Sequence, residues 1–331
     1  MTALGWVLVG TACLYNIAAG FNDGGNLLAS LTAGRVLTPG LALLLLAVGV
    51  PLGPLLLGTA VARTVGTRIV DLQAQGVGGY IAIVLVAVAV VLLSWRWRLP
   101  TSMTLALVGA MVGWTVAAGG GGQVHWGSVE LVGAGMVASV LVAALAAGLG
   151  FQALHRLLGT VSHRRVLALA RAQVVAGLVQ AVAYGANDLE KTIGLVGVAE
   201  VMGASRGAIA FNGALPIGAA VLSFLTGTVV GGRRLARRVG SGVVRVRPLQ
   251  GMVEQFAAGS VVAALALGGI PVSTTQAIDG ALVGVGVGER ASAVRWGMVR
   301  GMLGSWLITP PLAFALALGL RLASLHLGGR P

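Results

Sequence analysis

Long stretches of the chain carry no polar rhythm. Apolar runs of about 20 residues, enough to cross a hydrocarbon core as a helix, recur at 36–62, 77–94, 131–151, 207–230 and 296–320. Leu, Ala and Val fill these runs without the period-2 alternation of a transmembrane barrel strand. The pattern predicts an all-α polytopic membrane protein. Two kinds of segment interrupt it, and each occurs twice. One is Gly-x-Asn-Asp, in GFNDGGNLLAS from Gly20 and GANDLEKTIGL from Gly185. The other is Pro-x-Ser, where PTSMTLALVGAMVG from Pro100 aligns without a gap on PVSTTQAIDGALVG from Pro271.

The partners lie 165 and 171 residues apart, about half of the 331-residue chain, and keep the same order. Two such pairs at nearly one offset indicate duplication, with a first transmembrane repeat over 1–150, a basic loop over 151–171 and a second repeat over 172–331. Gly and charge around each Asn-Asp predict a broken helix, and each Pro-x-Ser segment is short and Gly-interrupted. Paired, interrupted segments at matching positions of two halves point to a transporter binding site. The apolar runs alone leave the crossing count open, and with it whether the halves are parallel or inverted.

Composition sharpens the class. Hydrophobic residues are 57% and charged residues 9%, with a mean hydropathy of +0.94, against roughly 25% charged residues in a soluble domain. The net charge of +13 would suggest nucleic acid in a soluble protein. Here the arginines cluster between apolar segments, so orientation in the bilayer is the better reading and no nucleic-acid partner is expected. Residues 155–171 hold four arginines and no acid, and 231–247 hold six and no acid, which predicts that both loops are cytoplasmic. Trp95 and Trp97, alternating with Arg96 and Arg98, read as an interfacial anchor. Cys13 is the sole cysteine, which excludes an internal disulfide. No basic region precedes the first apolar stretch, so that span is expected to be retained and the bacterial inner membrane is the simplest address.

The interruptions carry the candidate chemistry. A carboxylate at the bilayer centre costs ~3 kcal/mol or more and persists when it faces a cavity, a partner or an ion. Asp23 and Asp188 offer oxygen to a hard cation such as Na⁺ or can carry a proton, while Asn22 and Asn187 add amide oxygens. Gly20 and Gly185 allow the backbone to unwind. The plainer alternative is that each Asn-Asp caps a helix or makes a turn. A Pro-Ser/Thr start exposes backbone N–H groups at the positive end of a helix. With Ser102, Thr104, Ser273, Thr274 and Thr275 as hydroxyl donors, two such starts would hold a compact oxyanion. The alternative is an ordinary span whose hydroxyls bond to its own backbone. Lys191, the only lysine, falls one turn after Asp188 and reads as an i,i+3 ion pair or a phosphate contact. Asn26, Glu254 and Asp279 are candidates for the site or a coupling path, Glu200 a weaker one. No His or Cys spacing suggests a metal site. A dyad of intramembrane aspartates would also suit an aspartyl protease, but that reading gives no reason for duplicated Pro-x-Ser segments, so no enzyme is expected.

Together these motifs resemble the inorganic phosphate transporter (PiT) family, through its duplicated Gly-Ala-Asn-Asp and Pro-x-Ser-Thr-Thr elements. GANDLEKTIG is similar to the bacterial form of the second motif, where lysine is common at the position of Lys191. PVSTTQAIDGALVGVGVGERASAVRWGMVRGMLGSWLITPP is similar to the C-terminal signature. The resemblance implies inverted repeats with broken helices and re-entrant helical hairpins, a homodimer, and cation-coupled symport of inorganic phosphate by alternating access. It places the cation at Asn22, Asp23, Asn187 and Asp188, and phosphate at Ser102, Thr104, Ser273, Thr274 and Thr275. No cofactor is implied beyond Na⁺ or H⁺ as the coupling ion. The first motif departs as Gly-Phe-Asn-Asp, Met103 stands where a hydroxyl is usual, and Gln276 replaces a histidine. Sulfate or metal–phosphate cargo, or a passive anion channel, are the alternatives.

Overall fold

Helix starts are written into the sequence by hydroxyls and prolines. In the computed structural model, which describes residues 1–96, 101–119, 121–158, 163–204, 209–232, 243–244 and 246–327, Thr2 accepts from the Gly5 N–H at 3.2 Å and opens α1 (Ala3–Ala33). Thr38 accepts from Leu41 at 3.3 Å, and Pro39 occupies the first turn of α2 (Pro39–Leu57), where its missing N–H costs nothing. The apolar run predicted to 62 stops earlier, because Gly58 takes φ +86°, a conformation closed to most side chains. A short α3 (Ala60–Arg63) and a π-helical turn (Thr64–Arg68) follow.

The first half continues with α4 (Gly76–Arg96), α5 (Met103–Ala117), a 3₁₀ turn (Gly121–Gln123) and α6 (Trp126–Leu158). The second repeats the plan. It runs α7 (His163–Tyr184), a π-helical turn (Gly185–Leu189), α8 (Glu190–Ala204), α9 (Ala214–Gly227) and another π turn (Thr228–Gly232). It ends with α10 (Pro248–Leu267), α11 (Thr274–Glu289), a 3₁₀ turn (Ala291–Ala293) and α12 (Trp296–His326). Among the described residues, seven helices are long and apolar enough to cross a membrane. α5 and α11, of 15 and 16 residues, reach only about 22–24 Å, short of a core of ~30 Å. Residues 159–162 of the first basic loop, the Arg-rich stretch 233–242, and the side chains of Trp95, Arg96, Trp97 and Arg98 lie outside what is described.

The two halves exchange their short helices. α5 packs on α12, and α11 packs on α6. Small residues make both seams, as in membrane helix pairs generally. A Cβ on Gly109 would meet the Pro310 carbonyl, and one on Gly113 the Phe314 carbonyl. In the other seam, Gly280 meets Val140 and Gly284 meets Ala144 in the same way. α2 likewise packs on α7, and α9 on α1.

One expectation fails. The first Asn-Asp lies in an uninterrupted helix, since α1 runs straight through Gly20 and Asp23. Only the second copy is perturbed, by the π turn at Gly185–Leu189. Gly20 and Gly24 serve close approach instead. A Cβ on Gly20 would strike the Phe224 carbonyl, and one on Gly24 the Thr228 hydroxyl. Gly185 is equally crowded against the Val50 carbonyl, so its π turn also sits at a tight helix crossing.

Candidate functional site

α1 from the first half and the π turn before α8 from the second bring Asp23 and Asp188 to the start of α11. Ser273 ends the non-helical segment before α11, caps the helix by accepting from the Gln276 N–H at 3.4 Å, and thereby fixes the two residues that follow. Thr274 donates to Asp188 Oδ2. Thr275 donates to Asp23 Oδ1 at 3.1 Å and accepts from Asn26 at 3.3 Å. Asn22 also donates to Asp23 Oδ1, at 2.8 Å. Ser102 caps α5 in the same way, accepting from Leu105 N–H at 3.3 Å.

Lys191 joins the two short helices. Its Nζ lies 2.5 Å from Asp188 Oδ1, 2.6 Å from Thr104 Oγ1 and 2.6 Å from the Val272 carbonyl. The i,i+3 ion pair read from the sequence is therefore present. An ammonium has three donors, and all three are engaged, which leaves none for a phosphate contact in this arrangement. Thr104 in turn donates to the Val272 carbonyl at 3.1 Å.

The asparagines act on backbone. Asn187 donates to the Ile270 carbonyl at 3.2 Å and accepts from the Val272 N–H at 3.1 Å, so it clamps the segment that leads into α11. Asn22 donates to the Thr101 carbonyl at 3.3 Å in the corresponding segment before α5. Asn22, Asp23, Ser102, Thr104, Asn187, Asp188, Lys191, Ser273, Thr274 and Thr275 are all buried, with no member above 6% exposure. Asn26 is only partly buried. Burying carboxylates here is tolerable because each is hydrogen-bonded, one of them to a cation.

Glu254 and Asp279 stand apart from this cluster. Glu254 accepts from Ser30 at 2.7 Å and from Gln180 at 2.9 Å, tying α1, α7 and α10 together. Asp279 is buried on α11 one turn beyond the threonines. Glu200 is partly buried near the end of α8.

Sequence reasoning missed four participants. Thr101 lends its carbonyl to Asn22, and its hydroxyl lies 2.6 Å from that of Thr309. Tyr15 donates to the Met103 carbonyl at 3.4 Å. The Tyr184 hydroxyl is buried with no hydrogen-bond partner among the described residues. Its place immediately before the second Gly-x-Asn-Asp was the available signal. Glu190 is the fourth. It accepts from the Val61 and Ala62 N–H groups at 2.9 and 3.1 Å, a carboxylate at the start of a helix, where the dipole favours it.

Known proteins resemble this chain along most of its length. The family model described as "Phosphate transporter family" matches residues 19–317. A Mycobacterium bovis protein named "Probable low-affinity inorganic phosphate transporter" is 33% identical over 313 residues, covering 93% of this chain and 74% of the relative. A Bacillus subtilis protein of the same name is 27% identical, with 94% of each chain covered. A solved structure, "The sodium-dependent phosphate transporter", superposes with a TM-score of 0.85 over 99% of this chain and 100% of its own at 18% identity, and so shares the fold.

Proposed function

This chain belongs to the phosphate transporter family, and we propose that it is a secondary active transporter in which inorganic phosphate and a cation, Na⁺ or H⁺, move together by alternating access. It is a multi-pass plasma-membrane protein and not an enzyme. One observation carries the reading: an aspartate from each half meets the hydroxyl-rich first turn of α11 in a single buried cluster.

Phosphate is assigned to the space between the N-termini of α5 and α11. Both ends direct unpaired N–H groups and a positive dipole toward an anion. Ser102 and Ser273 hold the two turns in register and keep their hydroxyl protons available to donate. Thr104, Thr274 and Thr275 supply further hydroxyls. The re-entrant character of α5 and α11 and the inverted relation of the repeats belong to this reading. Their support is the shortness of both helices, their buried starts and their reciprocal packing on α12 and α6.

Coupling then follows from charge. A phosphate dianion entering a dry site whose two carboxylates are offset by only the Lys191 ammonium meets net repulsion that little solvent screens. A cation held by Asp23 or Asp188 offsets that repulsion, so neither ion is stable there alone. The test is radiolabelled phosphate uptake into proteoliposomes under imposed Na⁺ or H⁺ gradients, with sulfate and arsenate as competitors. Accumulation above equilibrium that needs a cation gradient is expected, and Asp188→Asn should abolish it. Equilibration without gradient dependence or counterflow would mean a channel and sink the proposal.

A further inference from the structure

The duplicated motifs put Asn26 and Lys191 at equivalent places, each three residues after its aspartate. Their partners are equivalent too. Asn26 bonds Thr275, and Lys191 bonds Thr104, and these two threonines align in the gapless Pro-x-Ser pair. The site therefore has two acidic corners built to one plan, and they differ in one respect. At Asp188 the third residue on is an ammonium, and at Asp23 it is a neutral amide.

The ammonium's surroundings are those of an alkali cation. A carboxylate oxygen, a hydroxyl and a main-chain carbonyl from a non-helical segment surround Nζ at 2.5–2.6 Å. Hard cations in membrane transporters take such all-oxygen sets, with unwound carbonyls among the ligands. The Asp23 corner is less complete. Both of its hydrogen bonds fall on Oδ1, and Oδ2 accepts none among the described residues. The residue that would mirror Thr274 there is Met103, which has no hydroxyl to give.

Resting on the transport reading above, we infer that the Lys191 ammonium is a tethered replacement for a coupling cation at Asp188, so that the mobile cation is taken at the Asp23 corner alone. The lysine supplies one positive charge to the site in every state of the transport cycle. It also links α8 to both short helices, through Thr104 and Val272. A mobile ion would leave on each turnover, whereas the ammonium remains. Uptake thus requires one fewer free cation per phosphate than a site with two empty acidic corners.

Two reciprocal variants test this. Lys191→Ala removes the tethered charge and exposes the oxygen set of Asp188, Thr104 and Val272. Thermal unfolding of the purified variant should gain a stabilisation by Na⁺ over choline that exceeds the wild-type response. Its gradient-driven phosphate uptake should fall below wild type by on the order of thirtyfold or more, the scale for truncating one member of a buried hydrogen-bonded pair, and recover in part as Na⁺ is raised. Asn26→Lys places a second ammonium at Asp23, and should end cation-driven accumulation while phosphate still shifts the unfolding midpoint. The inference is overturned if Lys191→Ala responds to Na⁺ no more than wild type does, or if Asn26→Lys accumulates phosphate normally. If Lys191→Ala yields no folded protein, Asn26→Lys decides alone. A wild-type protein that accumulates no phosphate would defeat the transport reading instead, and the Na⁺ response of unfolding would still report on the lysine.

Discussion

Thr274 and Thr275 are consecutive residues in the first turn of α11, yet their hydroxyls donate to carboxylates from different halves of the chain, Asp188 and Asp23. One helix turn therefore spans the boundary between the repeats. Thr274→Val and Thr275→Val each keep the side-chain shape and remove one donor. Each should lower the initial rate of phosphate uptake about tenfold or more, since hydrogen bonds to ionised groups are the strong ones. Each should destabilise the fold by about 1–3 kcal/mol, because a buried carboxylate loses one of its donors and keeps only Lys191 or Asn22. Uptake assays beside detergent unfolding curves check both numbers, and unchanged uptake in both variants would place the site elsewhere.

Glu254, Ser30 and Gln180 form a closed triangle of hydrogen bonds between α1, α7 and α10. Glu254→Leu strips the Gln180 amide of its acceptor and leaves the Ser30 hydroxyl only its longer contact with Gln180, at a cost of about 1–3 kcal/mol for the amide left unpaired. Glu254→Gln keeps an oxygen for Ser30 and should lose less. Thermal unfolding that ranks Gln below Leu in stability would contradict this account.

Glycine contacts predict where a methyl group is tolerated. Gly185→Ala and Gly53→Ala should fold poorly, because the added carbon meets backbone of the neighbouring helix in both cases. Gly10→Ala has nothing within 4 Å and should gain slightly from helix propensity, by about 1 kcal/mol at most. Yields of monodisperse protein after size-exclusion chromatography distinguish the three.

Glu190→Ala removes the carboxylate that caps α3 across 129 and 128 residues of sequence. A loss of about 1–2 kcal/mol is expected from the cap and the dipole together. Asp at the same position is one methylene shorter and should restore little. Hydrogen exchange at Val61 and Ala62 would show the effect directly, as faster exchange in both variants.

The span pattern was legible because lipid imposes one simple demand, a long apolar helix, and five predicted runs coincide with α2, α4, α6, α9 and α12. The duplicated motifs were legible because repetition singles them out from background composition. What glycine does was not legible. Gly20 beside a charge suggests unwinding, but the same residue is needed where Phe224 backbone approaches α1, and a sequence does not separate the two uses. The backbone partners of Asn22 and Asn187 were hidden for a similar reason. Their amides also serve the carbonyls of Thr101 and Ile270 and the Val272 N–H, which no local spacing connects to them. Glu190 was missed likewise, because its partners at Val61 and Ala62 lie in the other half of the chain.

Exchange of the short helices also constrains assembly. α5 finds its main packing surface on α12, the last helix described, so during synthesis it must wait until that helix has been made. The first repeat cannot mature ahead of the second. Until the final segment inserts, the newborn first half presents a glycine-lined groove that chaperones or lipid must shield, and truncation before Trp296 would leave it permanently bare.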